Sequence, residues 1–381
     1  MNGRGRLFGV TLDASDDPWN LGLKHASMWA QTQGRHFPSG PYEAMLEELG
    51  TRSAYIEPAG TVEVASWLGP RPKPSDQPLI TAAQMQEFVG RCGLLEVMQE
   101  VKRFVTTRIL PEVPIMVGID HSATGGVVSA LSEAVGADRM TLVVLDHHFD
   151  ALPPSARMIT ALQSELDLLR GSSACPTRSS GESYCCGNFL AHLVGAGVVK
   201  PEHLLLVGVG DYPSEAAGPE WASFHEAYLA FERLGCGFFP LEAFGKDYEE
   251  RLRQFLRERI TTPYVYVSLD LDVGGDRCVQ AARYIDGPGI DKRALLHAAE
   301  IIAQGSQSGA FSLVGLDVME FNMHLLGLET PAGLPDMTVD TAWSFLDALT
   351  AKGSPTFLSA PSVLAHPALS PKAGRFEEVT R

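Results

Sequence analysis

The chain has 381 residues, of which 45% are hydrophobic and 20% are charged, as is ordinary for a soluble globular protein. Its formal net charge of −16 argues against nucleic acid or a membrane surface as a partner, because both require basic patches. The sequence contains neither a long apolar run nor a signal-peptide core, and its six cysteines do not suggest a disulfide framework. We therefore expect a cytoplasmic protein.

From about residue 110 onward, short apolar segments alternate with helix-like segments. The predicted strands lie at 115–120, 140–146, 203–211, near "CGFFPLEAF", at 264–272 and at 311–322. The predicted helices are "TGGVVSALSEAVG", "EWASFHEAYLAFERLG", "YEERLRQFLRERI", "KRALLHAAEIIAQG" and "TVDTAWSFLDALT". Continuous apolar strands separated by helices are typical of a parallel sheet that is covered on both faces. The sequence thus predicts an α/β fold, a three-layer α/β/α sandwich around a mostly parallel sheet.

Three segments do not follow this alternation. Residues 14–90 are rich in Pro, Gly and aromatic residues, with one predicted helix at "YEAMLEEL". Residues 151–186 form a long connection with a predicted helix at "SARMITALQSELDLLRG", and such connections usually line a site or form an interface. Residues 354–381 are rich in Pro, Ser and Ala and are predicted to be an extended tail. We expect one domain over residues 1–353.

Four of the predicted strands end in ionisable residues. The segments are "VGIDHS" (117–122), "VLDHHFD" (144–150), "VSLDLD" (267–272) and "VGLDVME" (314–320). A single aspartate at a strand end is usually a helix cap or a turn former. In an open parallel sheet, however, the carboxyl ends of the strands lie at one edge, where ligands bind. The joint occurrence of these segments therefore indicates a single functional site.

The four aspartates at this edge would repel one another unless cations neutralise them. Two divalent ions balance four carboxylates, and two imidazoles complete the ligand shells. The predicted ligands are His121, Asp146, His148, Asp150, Asp270 and Asp272. His147 points to the opposite side of the chain and is predicted to support the site. Oxygen-rich sites with few imidazoles favour Mn²⁺, with Ni, Fe, Co or Zn as alternatives.

Together and in this order, "GIDHS", "DHHFD", "SLDLD" and "DVMEFN" resemble the motifs of the arginase/agmatinase family, the ureohydrolases. The resemblance extends over about residues 110–350. It implies an arginase-like fold and a homo-oligomer, a dimer, trimer or hexamer. It also implies that one metal is held by His121, Asp146, Asp150 and Asp270, and the other by His148, Asp146, Asp270 and Asp272.

The same resemblance implies a reaction. Hydroxide formed between the two metals attacks the central carbon of a guanidino or amidino group, and urea (or an amide product) and an amine are released. Glu320 is the residue that pairs with the cationic guanidinium, and Asp317 supports the site. Asp150 and Glu320 are also expected to take part in catalysis.

The sequence departs from the family where a His-Gly pair shuttles protons. In "CCGNFLAHLV", Cys186 stands in place of that histidine, and His192 follows on the same helix, so both are candidates for proton transfer. Asn188 is a candidate for a substrate contact. Because of these departures we do not expect free arginine as the substrate. "CGNF" weakly resembles peptide arginases, which convert arginine within a peptide to ornithine, and this activity is an alternative.

Two further alternatives come from other classes of protein. A histone-deacetylase-like amidohydrolase would use one zinc ion and a tandem His-His pair. Here the pair lies inside the ligand motif, and His121 and Asp272 would have no role. A catalytically inactive metal-binding homologue is the second alternative, against which the complete set of ligands argues.

Overall fold

The structure is a computed structural model, and it describes residues 5–35, 37–52, 55–151, 183–212, 222–285, 287–329 and 333–350. The predicted helix at "SARMITALQSELDLLRG" and the predicted tail at 354–381 lie outside these residues. Within them, no helix has both the length and the apolar composition that a membrane span requires. The five cysteines that the structure describes are all free thiols.

A single sheet of eight strands organises the described residues. Its strands are β1 (Gly5–Val10), β2 (Ile56–Val62), β3 (Val113–Gly118), β4 (Met140–Leu145), β5 (Leu204–Val207), β6 (Gly237–Phe239), β7 (Tyr264–Asp270) and β8 (Ser312–Met319). They are arranged in the order β2-β1-β3-β8-β7-β4-β5-β6. Every pair of neighbours is parallel, and helices lie on both sides of the sheet. The predicted three-layer α/β fold is therefore confirmed.

The helices divide between the two faces of the sheet. Those described are α1 (Pro18–Thr32), α2 (Pro41–Arg52), α3 (Ala82–Gly90), α4 (Gly93–Phe104), α5 (Thr124–Val135), α6 (Phe189–Gly195), α7 (Ala222–Arg233), α8 (Tyr248–Arg259), α9 (Gly275–Cys278), α10 (Lys292–Gln307) and α11 (Thr338–Thr350). One hydrophobic core contains residues of α1 and of α3 to α7, and the other contains residues of α2, α8, α10 and α11. Alternate residues of the strands belong to opposite cores, as Val143 and Val144 of β4 do.

The prediction for residues 14–90 was incomplete. Besides the predicted helix, which is α2, this segment contains α1, α3 and strand β2. The start of α1 carries a recognisable signal, because Asp17 caps the helix by accepting the Asn20 N–H and Pro18 follows as its first residue. Strand β2 gave no such signal, since Pro58 and Gly60 are unfavourable in strands. Both residues are tolerated here because β2 is an edge strand of the sheet.

The four strands that precede the predicted site are neighbours at the centre of the sheet, in the order β3-β8-β7-β4. Apart from β7 and β8, neighbours in this order are not consecutive in sequence, and crossovers through helices bring their carboxyl ends together. The "DHHFD" segment follows β4, and "SLDLD" ends β7, while "GIDHS" and "DVMEFN" belong to β3 and β8 in the same way. This arrangement places all four motifs at one edge of the sheet.

Trp343 of helix α11 is fully buried and belongs to the same hydrophobic core as α2 and alternate residues of the strands. The Trp343 Nε1–H donates to the Met45 carbonyl of α2 at 3.2 Å. We expect Trp343→Ala to lower the free energy of unfolding by about 3–5 kcal/mol, because it leaves a large cavity and removes the hydrogen bond to α2. Trp19→Ala is the matched control, since Trp19 is 71% exposed. Urea denaturation measures both, and similar losses in the two variants would contradict this packing.

Candidate metal centre

Three aspartates surround the imidazole of His121, which follows β3 in a single helical turn. Its Nδ1 atom lies 2.9 Å from Asp270, 3.3 Å from Asp150 and 3.4 Å from Asp146. All four side chains are buried. One ligand atom from each lies within 4.8 Å of the other three, which is close enough for all four to hold one metal ion. They are the four residues expected to hold one of the two metals.

A second group adjoins the first and shares Asp146 with it. It consists of Asp146, His148 and Asp272, whose ligand atoms also lie close enough together to hold an ion. The His148 Nδ1 atom is 2.8 Å from Asp272 Oδ2. These are three of the four residues expected at the second metal. The fourth, Asp270, lies in the first group.

Backbone N–H groups orient three of the carboxylates. The His148 N–H donates to Asp146 Oδ1 at 2.6 Å, the Asp272 N–H to Asp270 Oδ1 at 2.9 Å, and the His147 N–H to Asp272 Oδ1 at 3.1 Å. Each bond uses one carboxylate oxygen and leaves the other, Oδ2, beside an imidazole of the cluster. In "DHH" and "DLD", the residue two positions after the first aspartate therefore contributes its own side chain to the cluster. Its backbone N–H also orients the carboxylate of that aspartate.

A hydrogen-bonded chain determines the tautomer of His121. Its Nε2 atom lies 2.8 Å from Ser268 Oγ, and the Ser268 hydroxyl donates to Asp317 Oδ1 at 2.6 Å. Because Ser268 has one proton and gives it to a carboxylate, it accepts from the His121 Nε2–H. In neutral His121 the lone pair is then on Nδ1, facing the three aspartates. Supporting contacts of this kind orient metal-binding histidines.

Asp317 belongs to this chain and not to the ligand groups. Its other oxygen accepts hydrogen bonds from Tyr266 at 2.5 Å and from Thr124 at 2.7 Å. Three hydroxyl donors therefore surround a fully buried carboxylate. The supporting role of Asp317 stays a prediction.

The electrostatics of the cluster call for positive charge. Burial, and then repulsion by Asp270, raise the pKa of Asp146 and raise that of Asp272 further. Burial lowers the pKa of His121, but the negatively charged aspartates close to its Nδ1 atom raise the pKa by more, so it lies well above its usual value. The raised pKa values mean that the cluster favours added positive charge, whether from protons or from cations.

Divalent metal ions fit the residues present. His121 Nδ1 and Asp146 Oδ2 are fully buried and have no hydrogen-bond partner among the described residues. These two atoms lie 3.4 Å apart, so in neutral His121 the Nδ1 lone pair faces a carboxylate oxygen. Such a contact between two acceptors is unfavourable unless a cation lies beside them. The donor set is four carboxylates and two imidazoles without a thiolate, which suits Mn²⁺ and related ions.

A cavity of about 130 Å³ opens beside the cluster. It is lined by His148, Asp150, Cys186, Asp270, Asp272, Tyr284 and Glu320. Asp150, Tyr284 and Glu320 have positive φ angles of 50°, 54° and 64°, a conformation that L-residues with side chains rarely adopt. Strained backbone of this kind concentrates at functional sites. A larger groove of about 870 Å³, around α8 and the start of α10, does not touch the cluster.

Glu320 lines this cavity and is 2% exposed. Its Oε1 atom accepts the His121 N–H at 2.9 Å, and its Oε2 atom has no hydrogen-bond partner among the described residues. Burial raises the pKa of Glu320 well above its usual value, and the neighbouring Arg283 opposes this rise. The predicted substrate-binding carboxylate is thus next to the predicted ligands.

The other predicted residues lie at different distances from the cavity. Cys186 lines it, and burial raises its thiol pKa well above the usual value, so the thiol keeps its proton. Asn188 is buried but uses its side chain in its own turn, accepting the Cys185 N–H and donating to the Ser183 carbonyl. His192 is exposed on α6, with its ring edge-on to Tyr184. The roles of these residues remain predictions.

His147 is predicted to support the site. Its ring packs against Gly210, where a Cβ atom would lie only 2.0 Å from the imidazole, and its carbonyl accepts the Gly210 N–H. Sequence reasoning missed Ser268, Arg283 and Tyr284. Ser268 could have been found, because it is two residues before Asp270 and on the same face of β7. Arg283 and Tyr284 lie in a loop whose pattern carries no such signal.

We expect Ser268→Ala to weaken binding of Mn²⁺ by about 10–100-fold, because His121 loses the acceptor that orients its ring. Isothermal titration calorimetry measures this affinity. Ser344→Ala is the matched control, since Ser344 donates to a backbone carbonyl within α11 and is remote from the cluster. Unchanged affinity in Ser268→Ala would contradict the role of this hydrogen-bonded chain.

Comparison with known proteins agrees with this fold. A sequence profile described as "Arginase family" matches residues 50–330. No curated protein matches by sequence. Similar solved structures include an arginase from Bacillus caldovelox (17% identity, 92% of this chain and 99% of that one, TM-score 0.56) and formimidoylglutamase from Bacillus subtilis subsp. subtilis str. 168 (16%, 91% and 86%, TM-score 0.53).

A third is proclavaminate amidino hydrolase from Streptomyces clavuligerus (17% identity, 91% of this chain and 90% of that one, TM-score 0.51). At these identities the structural similarities show the fold. The family profile covers well over half of the chain and includes the segments that carry His121, Asp146, Asp270 and Glu320. The chain therefore belongs to the arginase family.

Proposed function

We propose that the chain is a hydrolase that uses two divalent metal ions, Mn²⁺ in the first place, to cleave a carbon–nitrogen bond of a linear amidine or guanidine. The observation that carries the proposal is the pair of adjacent ligand groups that share Asp146, beside a cavity that Glu320 also lines. The family membership supports the same chemistry. We further propose that the protein is a cytoplasmic homo-oligomer.

In this proposal, His121, Asp146, Asp150 and Asp270 hold one ion. Asp146, His148 and Asp272 would hold the other, and Asp270, which lies in the first group, is the proposed fourth ligand. Bound metal ions supply a water whose pKa is low enough for it to act as a nucleophile near neutral pH, and they stabilise negative charge on the reacting carbon's substituents.

The side chains of the cavity bind and orient the substrate. Glu320 Oε2 has no hydrogen-bond partner among the described residues and is placed to accept an N–H of the amidino group. The His121 N–H holds Oε1 and so keeps the carboxylate in position.

The leaving amine needs a proton. Asp150 and Cys186 both line the cavity, and the Cys186 thiol keeps its proton at neutral pH, so it can donate a hydrogen bond and cannot act as a thiolate nucleophile. We propose Asp150 as the proton carrier and Cys186 as a donor beside it. His192 is exposed, and Asn188 is engaged in its own turn, so these two are weaker candidates.

The positions of His121 and His147 argue against the deacetylase alternative. A deacetylase mechanism leaves His121 without a role, whereas here three aspartates surround its Nδ1 atom. It also needs two imidazoles facing the substrate, whereas the His147 ring packs against Gly210. We therefore favour an amidino or guanidino substrate over an acetylated amine. Because of the departures from the family motifs around Cys186, we propose a substrate other than free arginine, with arginine within a peptide as the runner-up.

We expect the protein to bind two Mn²⁺ ions per chain and, so loaded, to release urea, an amide or an amine from one member of a panel of amidino compounds. The panel contains free arginine, an arginine-containing peptide, formimidoylglutamate and acylated guanidines. Mass spectrometry identifies the products, and metal analysis counts the ions. Asp272→Asn should lower turnover by more than the roughly 10–100-fold that loss of a supporting contact causes.

The matched control is Asp340→Asn, because Asp340 forms ion pairs on the surface of α11, away from the cavity. One tightly bound zinc ion with release of acetate from acetyl-lysine would favour the deacetylase mechanism instead. Two bound ions without turnover of any compound would favour an inactive metal-binding homologue.

A further inference from the structure

The carboxylate that we assign to the substrate already faces a guanidinium of the same chain. Arg283 is 8% exposed, and its Nε atom lies 3.6 Å from Glu320 Oε2. The backbone reinforces this pairing, because the Arg283 N–H donates to the Glu320 carbonyl at 2.8 Å. Both side chains are therefore held together by the fold before any substrate enters.

The other carboxylate near Arg283 is occupied by a second cation. Asp13 Oδ1 lies 3.7 Å from Arg283 Nη1, but Asp13 Oδ2 lies 3.8 Å from the ammonium of Lys24, which is fully buried. Lys24 also donates to the Asp13 carbonyl, and Asn20 donates to Asp13 Oδ1 at 2.9 Å. Because Lys24 takes up much of the charge of Asp13, Glu320 remains the close counter-ion of Arg283.

Asp120 is the remaining buried carboxylate whose charge acts on Arg283. Its Oδ1 atom accepts two hydrogen bonds from Ser122, from the N–H at 3.0 Å and from the hydroxyl at 2.5 Å. It therefore caps the turn that carries His121 and has no ion pair with Arg283 within 4 Å. Among the described residues, Asp13 and Glu320 are the carboxylates that Arg283 contacts.

Arg283 does not itself line the cavity, but two residues that it contacts do. Glu320 is one, and Tyr284 is the other. The Arg283 Nη2–H donates to the Tyr284 hydroxyl at 2.8 Å, and the guanidinium lies 4.8 Å from the centre of the tyrosine ring. A substrate group that approached Glu320 would therefore lie close to a buried positive charge that cannot move away.

We propose that Arg283 neutralises Glu320 toward the cavity, so that the site binds an uncharged amidino group in preference to a protonated guanidinium. Arg283 is thus a positioning residue that acts through Glu320. This inference rests on the proposed function, because it takes Glu320 as the substrate-binding carboxylate. It narrows the substrate to weakly basic amidines, such as guanidines that carry an acyl group on nitrogen, and disfavours arginine, which is protonated at neutral pH.

A pair of ligands that differ in charge but not in shape tests the proposal. N-methylguanidinium and N-methylurea are both small and planar, and only the first is charged. Broadening of their methyl proton signals by Mn²⁺ bound to the protein reports binding at the metal centre without any turnover. The wild-type protein should bind methylguanidinium no more tightly than methylurea.

We expect Arg283→Met to bind methylguanidinium at least about tenfold more tightly, because a unit positive charge within a few ångströms of the ligand is removed. Binding of methylurea should not change. Arg283→Lys keeps the charge and should behave as the wild type. Arg71→Met is the matched control, because Arg71 is a partly buried guanidinium whose contacts are Met323 and His324 and not Glu320.

Two further variants keep the test valid if Arg283→Met does not fold. Arg283→Met with Glu320→Gln removes both charges of the pair and should abolish the gain in methylguanidinium binding. Glu320→Gln alone leaves Arg283 uncompensated and should weaken methylguanidinium binding at least about tenfold while sparing methylurea. A ratio of the two affinities that stays constant across these variants would overturn the role of Arg283.

The outcome separates this inference from the proposed function. A shift in the ratio of affinities in a protein that turns over no amidino compound would contradict only the proposed function. An active enzyme in which the ratio does not shift would contradict only the assignment of Arg283.

Discussion

Repulsion among buried carboxylates is the constraint around which this structure is arranged. Asp146, Asp150, Asp270 and Asp272 are each 5% exposed or less, and they lie around two imidazoles at one edge of the sheet. Burial and repulsion by Asp270 oppose the ionisation of Asp146 and Asp272, so added positive charge, from protons or from metal ions, stabilises this edge. The proposed pair of divalent ions would supply that charge and a reactive water in the same place.

The fold meets this constraint with geometry that is largely local. Backbone N–H groups hold one oxygen of Asp146, Asp270 and Asp272, which turns the second oxygen toward the centre of the cluster. The hydrogen-bonded chain through Ser268 and Asp317 does the same for His121. Buried carboxylate and imidazole side chains, which would be unfavourable in an apolar core, are thus already oriented to bind a metal ion.

Charge also distinguishes the substrate side of the cavity from the metal side. Glu320 faces the proposed substrate, yet the fold places Arg283 behind it and Lys24 behind Asp13. A site that is meant for a strong cation gains nothing from a fixed cation at this distance. The departures from the arginase motifs around Cys186 point in the same direction, toward an amidino compound other than arginine.

The sequence by itself determined much of the fold and of the metal centre. Alternation of apolar strands with helices predicted the layered parallel sheet, and residues two apart in "DHHFD" and "SLDLD" predicted side chains on one face, because both depend on periodicity along the chain. Strand β2 and helix α1 were missed, the first because Pro58 and Gly60 mask it and the second because its cap was overlooked.

Only the tertiary structure decided which strands are neighbours and what lies behind Glu320. The order β3-β8-β7-β4 follows from helix crossovers that bring distant segments together, and no local pattern encodes it. Arg283 and Asp13 are separated by most of the chain, and their contact arises because the loops after β1 and β7 meet beside β8. Side-chain chemistry can be read from a sequence, but the charge that each group experiences depends on its neighbours in space.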